Sequence, residues 1–186
     1  MRLALYFTQS CTSFQAEYAN PSEVELINDK WNETDARVSS EHLVKNALES
    51  PWLNDYELRY KKRPIVVVSS IENRTDEHID TRALSETIRN SLINSRQVRY
   101  VNKRQRQEIL DEMNYQNSGA VDPGLAKRIG KQIGADYLLT GSISSIVAAN
   151  GKRKNVVYQV EAALTNLQTA EVEWTNIYRS KKKFRR

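Results

Sequence analysis

The sequence predicts an α/β (α+β) domain in which a mixed sheet of about four to five strands packs with about four helices. Three observations carry this. Pro64-Ile65-Val66-Val67-Val68 is a continuous apolar run rich in β-branched residues, the pattern of a strand covered on both faces. Leu84, Ile88 and Leu92 follow at a spacing of four, the pattern of a helix laid on a sheet. From Val156 onward the apolar residues alternate, which is the period of strands with one buried face.

The chain has 186 residues, one domain of ordinary size with polar extensions. Residues 1–11 combine Arg2, a short apolar stretch and Ser10 before Cys11, the order of a bacterial lipoprotein signal. Thr8 and Gln9 depart from the usual residues before such a cysteine. Either the site is relaxed, or the true start lies upstream, or Cys11 is a free thiol. Residues 12–38 are polar, show neither helical nor strand period, and read as a flexible tether. A short helix is then expected from Ser39 through Leu48, capped by a serine, with Leu43, Ala47 and Leu48 on one face, and Ser50-Pro51 ends it. Trp52, Leu53 and Tyr56 are expected to pack on the domain.

Pro64 opens the strand read as central, and the polar turn formers Glu72-Asn73-Arg74-Thr75-Asp76 end it. Asp80 or Thr81 caps the helix containing Leu84, Ile88 and Leu92. Val98-Arg99-Tyr100-Val101 is a short strand, so strand, helix and strand form a parallel unit. Asn102 caps a helix to about Asn114, and Asp122-Pro123 starts another that presents Leu125, Ile129 and Ile133. The third strand begins near Ala135. Asn150-Gly151 signals a hairpin, Val156 to Leu164 alternate along a fourth strand, and Gln168-Thr169-Ala170 turns into a fifth. The globular region thus spans residues 39–180 and leaves a basic tail at 181–186.

Charge and chemistry narrow the function. The formal net charge is +5, with much of the excess in Lys181-Lys182-Lys183-Phe184-Arg185-Arg186. Such a tail suits phosphate, anionic lipid or an anionic wall polymer; the plainer expectation is a solvated tail. One cysteine excludes an internal disulfide. No run is long enough for a membrane-spanning helix. His42 and His78 stand apart without a metal-ligand spacing, and no cofactor is expected. Gly124 to Gln132 approaches a phosphate-loop pattern, but its spacing is one residue too long and Gln132 replaces the metal-holding hydroxyl. Basic groups at Arg99 to Arg106, Lys127 to Lys131 and Lys152 to Lys154 raise nucleic-acid binding, yet no aromatic sheet motif or helix-turn-helix pair accompanies them.

Four stretches carry a family resemblance: Ile71 to Thr75, Glu86 to Leu92, Ala126 to Leu139, and Leu164 to Trp174. In this order and spacing, over about residues 41–180, the chain resembles the LpoB family of outer-membrane lipoproteins. The resemblance implies a fold like the TolB N-terminal domain, also shared in part by the curli secretion component CsgG. It implies a protein that is no enzyme, lipidated at Cys11 and held as a monomer on the periplasmic face of the outer membrane. It implies binding to a bifunctional penicillin-binding protein and activation of peptidoglycan synthesis. The chain departs in its weak lipidation motif, its short tether without prolines in series, and its basic tail. The rival implied by the same fold is a CsgG-like secretion component; a nucleic-acid module ranks below it.

For the docking surface, the sequence points to Asn73, Arg74 and Thr75 together with Tyr115 at the end of the third expected helix. The loop follows the carboxyl end of a strand, where open sheets tend to place function. Arg74 offers a planar charged fork and Tyr115 a broad contact surface. The competing expectation is that Asn73 and Thr75 only shape the turn.

Overall fold

The computed structural model describes residues 28–101 and 134–185, with 20, 23, 24, 111, 114, 115 and 118 as isolated positions. Its elements run α1 (Glu33–Leu48), α2 (Pro51–Tyr60), β1 (Ile65–Val68), β2 (Glu72–Asn73), α3 (Thr81–Ser95), β3 (Arg99–Tyr100), β4 (Tyr137–Asn150), β5 (Arg153–Asn166) and β6 (Val172–Arg185). The sheet order is β3-β1-β4-β5-β6, with β2 also paired to β4. The expected fold class therefore holds, with a sheet of six strands and three helices among the described residues. The helices expected at about 103–114 and 122–134 lie almost wholly outside the described residues.

β1 pairs parallel with β3 and with β4, as the strand–helix–strand reading requires. β4, β5 and β6 form the expected antiparallel meander. The Asn150-Gly151 turn is used, with Gly151 at φ +54°. The central strand is not Pro64–Val68. β1 is short and lies one place from the edge, while β4 runs 14 residues and pairs on both sides.

The β1–β2 segment carries one extra residue against β4. Val68 stands opposite Leu139 and Glu72 opposite Ser142, so four steps on one strand match three on the other. Ile71 sits in this irregularity and is buried. Gly141 makes room for it: a Cβ there would lie 2.8 Å from Ile71 Cδ1 and 2.5 Å from the Glu161 carbonyl oxygen.

α1 starts at Glu33 rather than at the expected Ser39. Asn32 is the cap: its side chain accepts from Asp35 N at 3.1 Å, and Asp35 Oδ2 accepts from Asn32 N at 3.0 Å. This reciprocal pair satisfies two backbone donors and pulls the helix six residues upstream. Ser39 and Ser40 are buried and donate back to the carbonyls of Asp35 and Ala36, each at 2.6 Å. Small side chains with satisfied hydroxyls let α1 lie close in the core. The tether assignment of residues 12–38 therefore fails at its C-terminal end, because residues 33–38 are helix and Asp35 is buried.

Trp52, Leu53 and Tyr56 are buried as expected, but on an unforeseen helix: Pro51 ends α1 and occupies the first turn of α2. Leu84, Ile88 and Leu92 form the buried stripe of α3, which Asp80 caps through Arg82 N at 3.0 Å. These residues join Leu43, Val44, Leu139, Ile143, Val156, Tyr158, Val160 and Leu164 in one core. Burial of this apolar surface is the main stabilising term.

The basic tail is also corrected. Residues 181–185 belong to β6 and pair with Arg153 to Val157. Lys182 is buried, because the two-residue period turns it to the face on which Trp174 lies.

Candidate functional site

The loop after β1 is held at both ends through its own backbone N–H groups. Ile71 N donates to Ser85 Oγ at 3.1 Å, and Arg74 N donates to the Ile143 carbonyl at 2.8 Å. Between them, Asn73 Oδ1 accepts from Thr75 N at 3.0 Å and from Thr75 Oγ1 at 2.8 Å. This is the side-chain-to-backbone turn that Asn forms readily. Asn73 Nδ2 donates to the Glu77 carbonyl at 2.8 Å, and Glu77 N donates to Thr75 Oγ1 at 3.1 Å. Asn73 and Thr75 thus do shape the turn.

Arg74 is exposed at the crest of this turn. Its Nε and Nη2 both reach Glu72 Oε2, at 2.9 and 2.6 Å. The guanidinium and carboxylate hold each other ionised: the Glu72 carboxyl is lowered from its usual range by the Arg74 hydrogen bond and charge, and Arg74 is raised by Glu72. Both groups face water, so the pair adds little stability. It does orient the fork, leaving the third guanidinium nitrogen outside the pair.

Glu77 links the loop to the core, a role with no sequence signature. Its carboxylate accepts Trp31 N at 3.1 Å and the Tyr158 hydroxyl at 2.5 Å. The Tyr158 oxygen also lies 3.0 Å from the Asp29 carbonyl oxygen, and Trp31 meets the Tyr158 ring edge-on at 5.4 Å. Burial first, and the Glu77 bond second, push the Tyr158 phenol well above the ordinary tyrosine value. The loop, the segment before α1 and β5 are therefore one braced unit. Charge-assisted bonds of this kind are stronger than neutral ones.

Tyr115 is exposed within a helical turn, and its carbonyl accepts Ser118 N at 3.1 Å. No hydrogen bond or ring contact among the described residues joins it to the 73–75 loop. Cys11 lies outside the described residues. Among the described residues no group of three or more His, Cys, Asp or Glu could hold a metal. His42 packs on Tyr178 at 5.1 Å, a structural contact. The described loop is a polar surface shaped by its own side-chain hydrogen bonds.

A search of curated proteins finds no match. Among solved structures, the chain is similar to the LpoB C-terminal domain from Salmonella enterica, with 21% identity, 73% of this chain and 96% of that chain covered, and a TM-score of 0.40. The LpoB C-terminal domain from Escherichia coli gives 18% identity, 76% and 97% coverage, and a TM-score of 0.42. Lipoprotein GNA1162 from Neisseria meningitidis gives 11% identity, 64% and 83% coverage, and 0.42. The assignment rests instead on sequence: residues 35–179 match the family described as peptidoglycan-synthase activator LpoB, and the chain belongs to that family.

Proposed function

We propose that this chain is a non-enzymatic activator that binds a bifunctional penicillin-binding protein and raises its rate of peptidoglycan synthesis. The family match over residues 35–179 is the observation that carries the reading. The 73–75 loop supports it as the docking element, since a turn fixed by its own side chains loses little entropy on binding. Arg74 and Tyr115 are the contacts proposed within that surface, with Asn73 and Thr75 holding its shape. The domain acts as a monomer, tethered by lipid on Cys11 to the periplasmic face of the outer membrane. Activation needs no chemistry in this chain. A bound protein shifts its partner toward an active state by its greater affinity for that state.

The rival, a secretion component of CsgG type, requires a lipid-facing band of apolar side chains on its spanning strands. β6 instead carries Arg179, Lys181, Lys183 and Arg185 on one exposed face.

The test mixes the purified full chain with a detergent-solubilised bifunctional synthase and labelled lipid-linked precursor. The expected result is saturable binding and faster glycan polymerisation or cross-linking, with no product from the chain alone. Binding without a rate change, or no binding, overturns the proposal. Cys11→Ser, expressed in cells, should move from the membrane to the soluble fraction; unchanged fractionation removes the anchor from the reading.

A further inference from the structure

The outer strand of the sheet combines two features that point to a partner. β6 terminates the strand order, so among the described residues its outward backbone edge pairs with no other strand over 14 residues. Along its second half, Arg179, Lys181, Lys183 and Arg185 are all exposed and share the face opposite Trp174 and Lys182. Alternate residues on a strand stand ~6.6–6.8 Å apart, so these cations form a regular row. Their neighbours across β5 are Gln159, Val157, Asn155 and Arg153, and none is a carboxylate. Arg179 is held along the sheet by Gln159 Oε1 at 2.8 Å.

An exposed edge is a template for another strand, and charge on it decides which strand is accepted. A second copy of this segment would set like charges together, which disfavours pairing. An extended segment with carboxylates at every second residue has the same period as the row. It would satisfy the open backbone edge and bring carboxylates to the row of cations in one register. We propose that β6 is a docking edge for an acidic, extended segment of a protein partner, which adds to the sheet as a further strand. β4 and β5 separate this edge from the 73–75 loop, and the inference does not depend on the activator reading.

The experiment uses the full chain and a fluorescein-labelled, end-capped heptapeptide of alternating Thr and Glu, with the alternating Thr and Gln peptide as its comparison. Anisotropy at low salt should show the Glu peptide binding at least about tenfold tighter, a gap that narrows as salt screens the charges. Hydrogen exchange at β6 backbone amides should slow on binding. The double variant Lys181→Glu, Lys183→Glu replaces exposed side chains only; its melting temperature should hold while its preference turns to an alternating Thr and Lys peptide. Equal binding of the Glu and Gln peptides overturns the proposal, as does undiminished binding by the double variant. Tighter binding of inorganic polyphosphate, with β6 exchange unchanged by the Glu peptide, also overturns it and assigns the cations to a polyanion lying across the sheet face.

Discussion

Lys182 Nζ lies 2.5 Å from Asp35 Oδ2, with both side chains almost wholly buried, and so ties the last strand to the first turn of α1. The same ammonium donates to the Lys30 carbonyl at 2.6 Å and stands 5.7 Å from the Tyr158 ring centre. Beside it, Lys154 pairs with Asp29. The segment from Asp29 to Asp35 is clamped to the β5–β6 hairpin by two ion pairs and by the Tyr158 hydroxyl on the Asp29 carbonyl. Lys182→Met should therefore destabilise the fold by about 3 kcal/mol, because it leaves a buried carboxylate without its counter-charge. Chemical denaturation measures this; a loss below about 1 kcal/mol would show that Asn32 N and water suffice for Asp35.

Deleting residues 12–38 removes Asp29, Trp31, the Asn32 cap and Asp35 together. A dispensable tether would leave the melting temperature nearly unchanged. The structure predicts instead a fall on the order of 10 °C, as several kcal/mol are lost from a domain of this size. Calorimetry of the truncated chain against the full chain decides between them.

Gly141→Ala should cost about 1–3 kcal/mol, since the new methyl meets the Glu161 carbonyl and Ile71, one of them rigid backbone. Pairing the change with Ile71→Val relieves only the side-chain contact. A Gly141→Ala variant as stable as the parent would show that β4 shifts away from β5 freely.

Stability should fall at alkaline pH. Burial raises the phenols of Tyr56, Tyr137 and Tyr158, with Tyr137 pushed up to about 12. In the unfolded chain each ionises near the reference value of about 10. Above that value the folded chain holds protons that the unfolded chain has released. The stabilisation is fully present below about pH 10 and is lost as pH rises toward and through about 12. Denaturation midpoints from pH 8 to 11 check the slope; a midpoint flat above pH 10 would contradict it.

Arg74→Ala should leave the melting temperature unchanged, since among the described residues its guanidinium pairs with the exposed Glu72 alone. It should weaken synthase binding by about tenfold if the guanidinium is a contact hot spot. Tyr115→Ala is expected to act in the same direction. Asn73→Ala differs, because it removes the turn bonds to Thr75 and the bond to the Glu77 carbonyl. It should lower both stability and binding. Parent-like binding in both Arg74→Ala and Tyr115→Ala would place the docking face elsewhere.

Local pattern by itself determined much of this protein. The β-branched run at Ile65 to Val68, the stripe of Leu84, Ile88 and Leu92, the Asn150-Gly151 turn and the alternation around Val156 to Leu164 each specify an element, because backbone period and side-chain burial are coupled within a few residues. The Asn73–Thr75 turn was legible for the same reason, since its bonds span two residues. Tertiary structure decided the rest. Lys182 reads as one charge in a solvated tail until the sheet sets it against Asp35 and the Lys30 carbonyl, 152 positions away. Asn32, and not a serine at 39 or 40, caps α1 because its turn is anchored from two distant segments, through Trp31 N on Glu77 and the Asp29 carbonyl on Tyr158. The bulge at Ile71 exists because Gly141, on another strand, leaves the space for it. A sequence pattern reports the period of a segment; which charge is desolvated, and by what partner, is settled only when segments meet.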